Sequence, residues 1–179
     1  EARAFLADTS PLKRARLIDQ LLSRPEHARH LSHVVDVMLM DRRPDHRVPG
    51  TEWREFLRKS FAENQPWDKL IREILSADGS DPKTRSASKF LLDRDGEVNQ
   101  ITRDVSRLFF GRNLQCAQCH DHPLISDFKQ EHYYGIAAFF NRTALFPNAE
   151  DKKGVLAEKA EGEVSFQDVF DKEKKVRTT

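Results

Sequence analysis

The chain is poor in the residues that staple or anchor many proteins. Only two cysteines occur among its 179 residues, which rules out the disulfide framework of a small cross-linked secreted domain. No apolar run approaches the roughly 18 residues needed to cross a bilayer. The first residues, Glu1-Ala2-Arg3, lack the basic-then-apolar order of an export signal, so in an exported form the signal is expected to have been removed or to lie outside this chain. An excess of charge of one sign is missing too. Lys and Arg number 30 against 29 Asp and Glu, a formal +1. That balance gives no general drive toward nucleic acid or an anionic membrane and fits a protein that meets other proteins. Internal repeats and low-complexity tracts are also lacking.

What is present is a series of apolar stripes at helical spacing. With 38% hydrophobic residues the chain can bury one core. Ser10-Pro11 reads as a helix start for Leu12, Ala15, Ile18, Leu21 and Leu22, predicting a helix from about Pro11 to Ser23. Ala28, Leu31, Val34, Val35, Met38 and Leu39 form a second stripe, stopped by the surface loop Asp41 to Gly50 with its prolines Pro44 and Pro49. Thr51 reads as the cap of a helix carrying Trp53, Phe56, Leu57 and Phe61, and Pro66 opens another through Trp67, Leu70, Ile71, Ile74 and Leu75. A loop over Ala77 to Ser86 precedes the stripe Val98, Ile101, Val105, Leu108 and Phe109, which Gly111 is placed to end, and a last helix spans Tyr133 to Phe140. The expected organisation is a mainly α, compact multi-helix body over 1–145. A charged tail over 146–179 follows, extended or a short β-hairpin in which Val164 and Phe166 alternate with polar residues, packed on the body or on a neighbouring subunit.

The sharpest signal is Cys116-Ala117-Gln118-Cys119-His120. In a C-x-x-C-H motif the two thiols add to the vinyl groups of haem and the histidine reaches the iron, so porphyrin geometry dictates the order. Cys116 and Cys119 are then the thioether anchors of one covalent haem c and His120 the proximal ligand. Zinc is a rival, because Cys116, Cys119, His120 and His122 supply two sulfurs and two nitrogens, although four ligands within seven residues would struggle to surround a tetrahedral ion. A redox pair or structural disulfide is another rival, for which a strand before the motif and a helix starting at it are wanted; a helix precedes it instead. The last reading is a pair of ordinary buried thiols.

A haem electron carrier normally takes a second protein ligand. Met38 and Met40 are the only methionines, and each also reads as a core residue of its helix. His122 stands close to His120 for reaching the opposite haem face, so a propionate or backbone partner suits it better. His132, at the start of the last helix, could return over the porphyrin. His27, His30 and His33 read as surface residues of the second helix. An unfilled sixth position would point to small-molecule or peroxide chemistry. Phe109, Phe110, Tyr133, Tyr134, Phe139 and Phe140 flank the motif and could wall a porphyrin, or simply fill a core.

The stretch Leu108 to Pro123, with its Cys-Ala-Gln-Cys-His-Asp-His-Pro core, and Tyr133 to Phe140 resemble the DUF1549 family, the planctomycete cytochrome c-like domain PSCyt2. The likeness extends back through Ala15 to Leu22 and Glu52 to Leu75, and forward through Ala157 to Phe166. The resemblance implies a secreted, cytochrome-like helical domain, commonly joined in long bacterial proteins to a second domain of unknown function. Because this chain stops at Thr179, it is expected to be a stand-alone variant or a fragment of a larger one.

Taken together, these readings predict a monohaem c-type cytochrome domain in the periplasm or outside the cell. It would carry electrons rather than act as an enzyme, docking on a membrane respiratory or photosynthetic complex or on identical chains. The alternative expectation is a non-redox envelope interaction module whose Cys-x-x-Cys forms a disulfide or zinc staple.

Overall fold

A computed structural model describes residues 1–147, 153–167 and 175–178, the last as backbone alone. Among these residues lie eight α-helices: α1 (Ala2–Ala7), α2 (Lys13–Leu22), α3 (Pro25–Met40), α4 (Gly50–Ala62), α5 (Trp67–Ser76), α6 (Lys89–Leu92), α7 (Val98–Leu108) and α8 (Gln130–Phe140). Two antiparallel hairpins follow, β1 (Thr143–Phe146) with β2 (Val155–Glu158) and β3 (Val164–Gln167) with β4 (Lys175–Thr178). The mainly helical expectation holds, with a small antiparallel hairpin toward the C-terminus.

The principal core is built from the predicted stripes of α3, α4, α5 and α7. Leu39, Trp53, Leu57, Leu70, Ile74 and Ile101 are fully enclosed in it. Trp53 also satisfies its indole N–H, which donates to Asp36 Oδ1 at 3.0 Å. A 3-10 turn, Arg85–Ser88, leads into the single helical turn of α6, whose Phe90, Leu91 and Leu92 complete the core. Neither element was expected, since four consecutive buried residues, Lys89 among them, leave no amphipathic period to read.

Buried charge ties these pieces together. Lys89 Nζ donates to the Val48 carbonyl at 2.6 Å and to Asp45 Oδ1 at 3.0 Å, and pairs with Asp93. Asp93 Oδ1 in turn accepts from the backbone N–H groups of Arg47 and Val48 at 2.9 and 3.1 Å. The 41–50 loop is therefore pinned from beneath, and Val48 is buried rather than on the surface. Its end differs from expectation as well: α4 begins at Gly50 with Pro49 before it, so Thr51 lies inside the helix and caps nothing. Asp45 Oδ2 accepts from the Gly50 N–H at 2.8 Å, and a Cβ at this position would come within 2.6 Å of Asp45 Oδ1.

Arg94 is the second buried cation. Its guanidinium donates to Asp104 Oδ2 at 2.8 Å, to the Phe90 carbonyl at 2.7 Å and to the Leu39 carbonyl at 2.9 Å, and it stacks on the Phe90 ring. Burial lowers its pKa while Asp104 opposes that shift.

The residues after α8 dock on the body. Leu156 joins the principal core and its N–H donates to the Asp78 carbonyl at 2.8 Å; Phe166 stacks on Tyr134 with ring centroids 4.7 Å apart. Because Thr143–Phe146 pairs with Val155–Glu158, the first hairpin straddles the expected boundary at residue 145.

A second, smaller core of Leu114, Ala117, Tyr133 and Ala137 lies between the segment after α7 and the inner face of α8. This minor core carries the cysteine motif.

Candidate functional site

Cys116–Gln118 forms one 3-10 turn, closed by the Cys119 N–H donating to the Cys116 carbonyl at 3.2 Å and extended by the His120 N–H to the same oxygen at 3.3 Å. Three residues per turn place positions i and i+3 above one another, so Cys116 and Cys119 share one side of the turn. Both are free thiols on an exposed surface. Ala117 lies between them, fully buried in the minor core, where a larger side chain would collide with Leu114, Tyr133 and Ala137.

Helix α8 holds this turn by its backbone carbonyls and α7 by the Gln118 side chain. Gln130, buried at the start of α8, donates from Nε2 to the Cys119 carbonyl at 3.1 Å, and its backbone N–H donates to Asp121 Oδ1 at 2.8 Å. Tyr134, one turn further along α8, donates its hydroxyl proton to the Gln118 carbonyl at 3.0 Å. From α7, Arg103 reaches Gln118 Oε1 at 3.3 Å. The Tyr133 hydroxyl donates to Asn99 Oδ1 at 2.9 Å, and burial pushes this phenol up to about 12.

The three histidines around the motif differ in which ring nitrogen they use. His120 Nδ1 lies 2.7 Å from the Asp121 carbonyl oxygen. A carbonyl only accepts, so Nδ1 carries the proton, and in the neutral ring Nε2 is left with a bare lone pair on an exposed imidazole. His122 has the opposite arrangement: its Nδ1 accepts from the N–H groups of Leu124 and Ile125 at 3.2 and 3.1 Å. His132 Nδ1 accepts from the Lys129 N–H at 3.4 Å, which folds the ring back on the first turn of α8. Of the three, only His120 presents an unprotonated Nε2 in its neutral form. A backbone carbonyl on the far nitrogen is also the orienting contact that metal-bound histidines commonly have.

A protein-family model described as PSCyt2, protein of unknown function (DUF1549), matches residues 1–144. The chain belongs to the PSCyt2 family. The match covers all eight helices and the whole cysteine motif of this PSCyt2 chain, and ends before β2 and β3, so the likeness read over Ala157 to Phe166 lies beyond it. No curated protein and no solved structure matches it.

The remaining candidate ligands of the PSCyt2 chain lie apart from the turn. Met40 is sealed in the principal core with its sulfur 3.9 Å from Arg94 Nη1, and Met38 is on the exposed side of α3. Phe109 and Phe140 pack against the principal core, whereas Phe110 and Phe139 are exposed. Only Tyr133 and Tyr134 of the six expected wall residues belong to the minor core. Among the described residues no three His, Cys, Asp or Glu side chains gather in a way that could hold a metal ion. His122, named as a fourth zinc donor, spends its Nδ1 on its own loop.

Tested against a c-type haem, the donor set fits on the proximal side: two free thiols on one side of a turn, followed by an imidazole whose Nε2 is bare. The sequence indicated these three residues but not their support. Asp121, Gln130 and Tyr134 act through backbone carbonyls and a helix start, and such contacts leave no spacing signal.

Proposed function

We propose that this domain is a monohaem c-type cytochrome that transfers electrons outside the cytoplasm within a larger redox assembly. Cys116 and Cys119 would hold the haem as thioethers, each S–H adding across one vinyl group, and His120 would offer Nε2 to the iron. A bound haem supplies the one-electron couple. The observation that carries the reading is the His120 ring, whose Nδ1 is engaged by the Asp121 carbonyl at 2.7 Å so that Nε2 is the free nitrogen.

The chain's own residues supply orientation and access. The Asp121 carbonyl fixes the imidazole plane and raises its basicity, while Gln130 and Tyr134 keep the turn from unwinding. The open position of both thiols and of His120 would leave a group held there within reach of a protein partner. No helix among the described residues is long and apolar enough to cross a membrane.

The test is a pyridine haemochrome spectrum of the chain produced in a host with c-type haem attachment machinery, taken after acid–acetone extraction. The expected result is the α-band of a haem held by two thioethers, lost in a Cys116→Ser/Cys119→Ser variant. A colourless wild type would overturn the proposal and direct attention to zinc content and thiol oxidation.

A further inference from the structure

The most exposed large apolar side chain among the described residues is Leu124, at 89%, and its neighbour Ile125 is 42% exposed. Both lie on the loop that follows His120. This exposure is built in. The two backbone N–H groups that would otherwise be free at the tip donate to one acceptor, His122 Nδ1, at 3.2 and 3.1 Å. The loop is closed beneath them by the His122 N–H to the Phe128 carbonyl at 2.8 Å and the Phe128 N–H to the Ile125 carbonyl at 3.1 Å. The His122 ring meets the Phe128 ring edge-on with centroids 5.9 Å apart, and Asp121 anchors the near end to α8. A loop with this much internal bonding holds its apolar tip outward at a hydrophobic cost that an added cover would recover, about 25 cal/mol for each Å² removed from water.

Resting on the haem reading above, we propose that Leu124 and Ile125 form a preorganised apolar shelf for the porphyrin. The cover is identified by what stands next to it: four residues from His120, itself behind two free thiols, the ligand expected at this point of the chain is a large planar macrocycle with apolar faces. His122 then has a definite task. It shapes the shelf through its Nδ1 and is not an iron ligand.

The experiment uses the haem-loaded chain with methyl-labelled leucine and isoleucine, reduced and saturated with carbon monoxide so that the iron is diamagnetic whichever sixth ligand it has. Methyl resonances of Leu124 and Ile125, assigned through Leu124→Ser and Ile125→Ser, are expected to move away from their positions in the haem-free Cys116→Ser/Cys119→Ser chain by the porphyrin ring current. The double serine variant should keep the haem-free chain's thermal midpoint, because both side chains are exposed there, while losing roughly half of the midpoint gain that haem confers. Haem attached with both sets of methyls unshifted overturns the shelf and leaves the cytochrome reading intact. Wild type without attached haem overturns both.

Discussion

Single residues carry much of the chemistry of this domain through one nitrogen or one hydroxyl. His120, His122 and His132 lie within 13 residues of chain, and no sequence pattern says which nitrogen each uses. The carbonyl or N–H opposite each ring decides that. Tyr133 is a second case. Its phenol is enclosed in the minor core, and burial pushes it from the ordinary 10.0 up to about 12. The unfolded chain therefore loses this proton first as pH rises. The stability Tyr133 contributes is complete below pH 10.0 and is lost as pH climbs toward about 12. Tyr133→Phe should cost about 1 kcal/mol at neutral pH through the lost bond to Asn99. It should also remove up to about 2 kcal/mol of alkaline destabilisation. Urea titrations of both proteins from pH 8 to 12 test this, and curves that stay parallel across the range would rule out the Tyr133 contribution.

At the scale of elements, the site depends on α8 as a clamp. Gln130 and Asp121 exchange contacts between the start of α8 and the end of the cysteine turn, and Tyr134 adds a third bond one turn later. Replacing Gln130 by Ala leaves the Cys119 carbonyl without its side-chain donor and should cost about 1 kcal/mol locally. Amide exchange of Cys119 and His120 should accelerate roughly fivefold, while amides of α3 and α4 exchange as before. Uniform acceleration across the chain would show that Gln130 supports the whole fold instead. Elements of this kind were legible to different degrees. α3, α4, α5, α7 and α8 bury one stripe each, so a period near 3.6 exposed them. α6 and the 3-10 turn before it are too short and too fully buried to show a period, and Lys89, which no sequence pattern singles out, is the hub that holds that region. β1 was read as the end of the helical body because its partner, Val155–Glu158, lies nine residues further on and only pairing reveals it. The cysteine motif itself was plain in the sequence, whereas the contacts that orient it come from α7 and α8 and were not.

The whole molecule has a tightly packed body and a loosely attached N-terminal arm. Helices α1 and α2 contain no buried residue, and Leu6, Leu12, Ile18, Leu21 and Leu22 are all exposed. The periodicity that correctly announced α2 said that it has an apolar face, not what covers that face. Within the arm, Lys13 Nζ donates to the Phe5 and Asp8 carbonyls at 3.3 and 2.9 Å, and Glu1 pairs with Arg24 at 2.6 Å where the arm meets α3. The Glu1–Arg24 pair is exposed to solvent, and ion pairs of that kind contribute little. Deleting residues 1–22 should therefore change the unfolding free energy by no more than about 1 kcal/mol. Trp53→Ala, which empties the junction of α3 and α4 and orphans Asp36 Oδ1, should cost about 3 to 5 kcal/mol. Urea unfolding of the three chains at one concentration gives the comparison. If the deletion costs as much as Trp53→Ala, the arm is packed in solution. A midpoint close to that of the full chain would place all the measurable stability in the body from Pro25 onward, where the cysteine turn and its clamp reside.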